Sequence, residues 1–255
     1  MTWRHGMLIG AIALAAGVLF FVSPIPQSEA YHNFADKRQL LGIPNCLDVL
    51  SNFFFLVVGV LGFKVVWRDA EFHAARFERP AYVAFFVGVT LTALGSSWYH
   101  LNPNDATLLW DRLPMAIGFM GLVAAVAGER IFPPHGVGLA LLLPLIVLGV
   151  SSVLYWAVNN DLRAYALTQF GSLLVLVLLI VLFPSRYTRT ADLGISLGLY
   201  ALAKVFEFAD RPVFAALKVV SGHTLKHLAA ALSAYWIVRM LRYRKPVAIV
   251  DRQVA

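Results

Sequence analysis

The sequence predicts an all-α membrane protein. The expected architecture is a bundle of seven transmembrane helices, preceded by a signal peptide or one additional N-terminal span. Three observations carry this. First, 60% of the 255 residues are apolar and only 14% are charged. A soluble domain carries about a quarter charged residues, and a globule in water cannot cover so much apolar surface. Second, the chain contains eight apolar runs, most close to the roughly 20 residues that a helix needs to cross the hydrocarbon core. Third, these runs are continuous rather than alternating, which fits a membrane β-barrel badly. An ordinary soluble enzyme, a nucleic-acid binder and a disordered chain are thereby excluded. The formal charge of +7 is read as basic loops on the cytoplasmic side of a bilayer. The single cysteine, Cys46, allows no intrachain disulfide and no thiolate cluster, and is read as a small buried residue.

The first apolar run, about Met7 to Val22, follows Arg4 and His5 and precedes the small-x-small tripeptide Ser28-Glu29-Ala30. It is either a cleaved secretory signal or an extra span. Both readings place the segment from Tyr31 onward outside. Seven spans follow: Leu47–Val66, Ala81–Trp98, Leu113–Gly128, Val137–Val158, Tyr165–Phe183, Ala191–Phe208 and Gly222–Leu241. Alternation along these spans makes Arg68, Arg76, Arg79, Arg130, Arg186, Arg189, Arg242, Arg244, Lys245 and Arg252 cytoplasmic. It makes Lys37, Arg38, Arg112, Arg163, Arg211 and Lys218 external. Ten basic residues against six is the bias expected for a cytoplasmic C-terminus. The chain therefore divides into residues 1–30 (leader or extra helix), 31–245 (the seven-helix domain) and 246–255 (a cytoplasmic tail).

Polar side chains inside spans are costly unless paired or ligated, and so mark function. Three sets fall at the same outer level. Ser96 and His100, four residues apart, share one helix face at the end of the second of the seven spans. Asp111, in Asp111-Arg112-Leu113-Pro114-Met115, opens the next span. A turn signal at Asn102-Pro103-Asn104-Asp105 returns it towards His100. His223 and His227, again four apart, begin the last span. Three imidazoles from two helices suit a tetrahedral Zn²⁺ whose fourth position is open to water. Zinc in such a site polarises a carbonyl and acidifies bound water. Asp111 is placed to orient a histidine or the water, and Ser96 to donate to a developing oxyanion. His5, His32, His73 and His135 lie outside this set and are given solvent or interface roles.

The ordered motifs Ser96-x-x-x-His100, Asp111 and His223-x-x-x-His227 resemble the alkaline ceramidases. That family belongs to a superfamily of seven-helix membrane hydrolases that includes the adiponectin-type receptors. Asp48-Val49-Leu50-Ser51-Asn52 is similar to the family's first-helix motif. The resemblance runs from about Asp36 to the last span. It implies one zinc held by His100, His223 and His227, with Asp111 and Ser96 as catalytic neighbours. It implies an amidohydrolase that cleaves the carbon–nitrogen bond of ceramide or a related N-acyl lipid to a sphingoid base and a fatty acid. In that scheme the membrane lipid enters from the bilayer, past Phe53, Phe54, Phe55, Trp98 and Tyr99, and Asp111 relays the proton. Two other outputs use the same residues: hydrolysis of another lipid, or a receptor. The stretch Asp36–Asn45 departs from the family's acidic calcium cluster, being shorter and less acidic. Glu207 and Asp210 precede the last span as caps or as support for the histidines.

Overall fold

The computed structural model describes residues 2–68, 78–131 and 137–247. Arg76, His73, His135 and Arg252 lie outside the described residues. The regular structure of the described residues is helical, with no β-strand among them. In order, the helices are α1 Trp3–Phe21, α2 Cys46–Ser51, α3 Phe53–Arg68, α4 Arg79–Leu101, α5 Asp105–Arg130 and α6 Val137–Asn159. They continue as α7 Arg163–Ala166, α8 Ser172–Leu182, α9 Thr190–Phe208, α10 Asp210–Leu217 and α11 Gly222–Tyr243. A π-helical turn, Leu167–Gly171, joins α7 to α8.

Among the described residues, six stretches are long and apolar enough to cross a membrane: Trp3–Phe21, Cys46–Trp67, Arg79–Leu101, Asp105–Arg130, Ala140–Asn159 and Arg163–Leu182. They mark the chain as a multi-pass membrane protein. The expected count of seven after α1 depends on α9 and α11. Both sit where the sequence placed them, but they are more polar: α9 carries Asp192, Lys204 and Glu207, and α11 carries Lys226, Arg239 and Arg242. The helix α10 was not expected. It fills what read as a turn before the last span.

The helices form a closed ring. α3 packs between α4 and α11, α4 packs on α5, α5 reaches α8, and α9 packs on α8 and α11. α6 covers α5 from outside, and α1 leans on α8 and the π turn. Most of α1 faces outward, with Leu8 its buried residue.

Small residues set the closest approach, between α4 and α5. A Cβ on Gly95 would stand 2.0 Å from the Trp110 carbonyl oxygen, and one on Gly88 would stand 2.6 Å from the Pro114 carbonyl oxygen. Glycine lets two backbones meet in this way inside a membrane. Gly95 precedes Ser96 and Trp110 precedes Asp111, so this approach brings those two polar side chains together.

α5 begins eight residues before the expected span. Asn104 caps it: its side chain accepts from the Thr107 N–H at 3.1 Å, and its own N–H donates to the Thr107 hydroxyl at 3.2 Å. This reciprocal cap satisfies two backbone donors at once. Pro114 then falls inside the helix rather than near its start.

Residues 22–45 form a strap across one end of the ring, the end that carries His100. The Leu162 N–H donates to the Ile25 carbonyl at 2.8 Å, and Arg163 Nη1 donates to the Val22 carbonyl at 2.6 Å. Tyr31 donates to Glu207 at 3.0 Å, and the Ala35 N–H donates to Asp210 at 2.8 Å. Cys46 is buried where the strap enters α2, as expected.

Candidate metal centre

The last turn of α4 carries His100, and the first turns of α11 carry His223 and His227. α11 starts where it does because Ser221 accepts from the Thr224 N–H at 3.0 Å and Asp210 accepts from the His223 N–H at 2.8 Å. Gly222 allows the backbone of α11 to pass close to the Phe206 carbonyl, 2.4 Å from where a Cβ would stand. The three imidazoles then converge. Ring centroids are 4.8 Å apart for His100–His223 and 4.9 Å for both His100–His227 and His223–His227. One ring nitrogen from each lies within 4.8 Å of the others, and all three residues are buried. Among the described residues this is the one such cluster of His, Cys, Asp or Glu. It is close enough to bind a metal ion.

The hydrogen bonds around the rings test whether an ion fits. Both ring nitrogens of His100 and Nε2 of His227 are buried without a hydrogen-bond partner. A buried polar atom left unpaired costs about 1–3 kcal/mol, so an orphaned nitrogen on each of His100 and His227 calls for a ligand at this cluster. Nδ1 of His227 is 2.8 Å from the Ser51 hydroxyl, whose proton is directed to the Asp48 carbonyl at 3.0 Å. Ser51 therefore accepts from Nδ1–H, and the free Nε2 presents its lone pair to the cluster. Lys226 Nζ is 3.3 Å from His223 Nε2. An ammonium can only donate, so that nitrogen also carries a lone pair. Imidazole nitrogens, one from each of three buried histidines, make up a nitrogen-donor set.

Ser96 and Asp111 are both buried close to this cluster. Both line a cavity enclosed by α3, α4, α5, α8, α9 and α11, with His227, Lys226, Lys204 and Tyr200 around the same end. Its empty volume, mouth included, is about 910 Å³. Away from the histidines the wall is apolar, formed by Phe85, Val89, Phe119, Leu122, Leu176 and Ala234. The site is thus a polar, ligand-ready end on a chamber suited to hydrocarbon.

All five residues singled out in the sequence, Ser96, His100, Asp111, His223 and His227, meet at one end of the bundle. The aromatic route is different from the expected one. Phe55 lines the cavity, but Phe53, Phe54 and Trp98 are exposed on the outer surface of the ring. Tyr99 packs against Phe34, and its hydroxyl is 2.9 Å from His32 Nδ1. Arg112, counted among the external basic residues, is buried. Its guanidinium carbon lies 4.1 Å from the Trp156 ring, 4.8 Å from Tyr165 and 5.7 Å from Tyr31.

Sequence reasoning missed several participants. Phe34 of the strap is buried with its ring 4.6 Å from His100 and 4.5 Å from His223, and it covers the cluster. No pattern in its neighbourhood signals this. Ser51 was visible as part of a motif but not as the partner of His227. Lys226 lies three residues after His223 on the same helix face, a spacing that would have exposed it. No protein-family model matches this chain, and no curated protein matches it.

Proposed function

We propose that the protein is a zinc-dependent intramembrane hydrolase that cleaves the amide of ceramide or a related N-acyl lipid, releasing a long-chain amine and a fatty acid. The observation that carries this reading is the convergence of three buried imidazoles beside an apolar cavity that His227, Ser96 and Asp111 line. In this reading α9 and α11 complete a seven-span bundle, α1 stands outside it, and the site lies near the extracytoplasmic face.

His100, His223 and His227 hold the ion. When bound, zinc supplies a Lewis acid for the amide oxygen and lowers the pKa of water. The protein's own groups do the rest. Asp111 takes a proton from the attacking water and delivers it to the leaving nitrogen. Ser96 donates to the oxygen that gains charge in the transition state. Ser51 holds the His227 tautomer, and Phe34 shuts the cluster from the strap side. The acyl chain occupies the apolar part of the cavity.

Product analysis on purified protein tests the reading. Incubation with ceramide and other N-acyl lipids is expected to release free fatty acid and free amine in equal amounts. A zinc-loaded protein that releases neither from any N-acyl lipid would refute it, and fatty acid released only from ester lipids would move the substrate to another lipid class.

A further inference from the structure

The cavity beside the histidines is a shaft of definite depth. On α4 its lining runs from Ser96 to Phe85, and on α5 from Asp111 to Leu122. Each pair is eleven residues apart, which at about 1.5 Å per residue is about 16 Å along the helix. The charged residues of the wall, Asp111, Lys204 and Lys226, stay at the histidine end. There the two lysines share Glu207, at 2.5 Å and 3.1 Å. Along the shaft the hydroxyls of Thr92, Ser196 and Ser233 donate to backbone carbonyls at 2.8 Å, 2.9 Å and 2.8 Å. Below the charged end the wall is therefore neutral, and its hydroxyl protons are already used.

The shaft also has a floor. Phe85, Leu122, Leu176 and Ala234 line it, from four different helices. One turn further from the histidines stand Tyr82 on α4, Val126 on α5, Leu179 on α8 and Ile237 on α11. These four are fully buried in one core cluster, and none of them lines the cavity. Such a core is packed as densely as an organic crystal. A chain that enters from the histidine end therefore stops at Phe85 and Leu122.

We infer that this floor limits the length of the acyl chain, with the amide at the histidine end and the last carbon against Phe85 and Leu122. This rests on the N-acyl lipid reading above and narrows it to medium-length acyl chains. A C–C bond of about 1.52 Å advances an extended chain by about 1.25 Å, so a depth of about 16 Å holds roughly 12 to 14 carbons. The discrimination is steric. Lipid tails are as apolar as the wall, so a chain gains no hydrophobic energy on leaving the bilayer for the cavity. Chains within the limit are accepted alike, and a longer one has carbons with no room. Leu122 and Ala234 are the specificity residues to vary, because neither touches the polar end.

Displacement of radiolabelled N-lauroylethanolamine is measured on ice, with the full chain in nanodiscs. The competitors are the decanoyl, myristoyl, palmitoyl and stearoyl ethanolamides. Overfilling a packed site costs about tenfold or more in affinity. The parent is expected to bind the decanoyl, lauroyl and myristoyl compounds alike, and the palmitoyl and stearoyl compounds at least about tenfold more weakly. Leu122→Ala lowers the floor and is expected to restore palmitoyl binding. Ala234→Leu raises it and is expected to weaken myristoyl binding about tenfold. Equal affinities through stearoyl, a probe that does not bind, or a limit left in place by either folded variant would overturn the inference. If a variant does not fold, the parent's series and the other variant decide. Hydrolysis is read on the same samples after warming. A parent that shows the limit but cleaves nothing sinks the hydrolase reading and leaves this one standing. A parent that binds and cleaves every length alike does the reverse.

Discussion

Ser51 and His227 meet at 2.8 Å between Oγ and Nδ1, and this contact joins the first turn of one membrane helix to the metal-facing histidine of the last. The Ser51 proton is committed to the Asp48 carbonyl, which leaves the lone pair of His227 on Nε2. Outer partners of this kind typically contribute about 10- to 100-fold in metal affinity. Ser51→Ala is expected to weaken zinc binding by that factor with little change in melting temperature. Competition with a zinc chelator measures it; parental affinity would show that His227 needs no such partner.

In the proposed reaction Asp111 and Ser96 act apart from the histidines that would hold the ion. Asp111→Asn keeps the size of the side chain but removes its proton-accepting charge, and is expected to lower amide turnover by about 10²–10⁴-fold. Ser96→Ala removes one donor and is expected to cost on the order of 10²–10³-fold. Both should retain zinc. The readout is turnover and zinc content on the same preparations. An Asp111→Asn protein that loses zinc as fully as a histidine variant would make Asp111 a ligand instead.

The α4–α5 approach is the scaffold for that pair. A methyl group at Gly95 has no room, at 2.0 Å from the Trp110 carbonyl oxygen, whereas one at Gly194 meets nothing within 4 Å. Overpacking of this kind costs about 1–3 kcal/mol. Gly95→Ala is expected to lower the melting temperature and, by moving Ser96 away from Asp111, to lower turnover as well. Gly194→Ala should do neither. Equal behaviour of the two variants would remove the close approach from the account.

At the opposite end, Glu78 and Glu129 share Arg244, and Tyr187 donates to both oxygens of Glu78 at 3.0 Å. Burial pushes the Glu78 carboxyl up to about 7, and the neighbouring Glu129 carboxylate adds to the rise while Arg244 opposes it. An unfolded glutamate titrates near about 4.3. The folded state therefore keeps a proton that the unfolded state has lost, and the contribution to stability falls as pH rises from about 4.3 through 7. Glu78→Gln is expected to remove this slope. Relative to the parent, the variant should gain in melting temperature between pH 5 and pH 8. A difference that does not change with pH would contradict the assignment.

Much of the fold is legible in the chain, because hydrocarbon demands long apolar helices with their backbones satisfied internally. The runs at Leu47, Ala81, Val137 and Gly222 begin within two residues of the observed helices. α5 was misjudged because the apolar run starts at Leu113, while the helix is nucleated by the Asn104–Thr107 cap. The histidine cluster was readable from i, i+4 spacing and shared depth. The strap was not. Phe34 reaches His100 and His223 through contacts that join residues far apart in sequence, and no local periodicity encodes them. The lysine pair was hidden for a similar reason, since Lys204 and Lys226 meet only because α9 packs on α11. The burial of Arg112 was hidden as well, because its aromatic box comes from three other segments.

The most direct test of the metal centre is elemental analysis of the purified full chain beside His100→Ala, His223→Ala and His227→Ala. The expected result is one zinc per chain in the parent and strongly reduced zinc in each variant, with all four proteins folded by circular dichroism. A parent that takes up no metal when zinc is supplied, or histidine variants that all keep the parental content, would contradict the account.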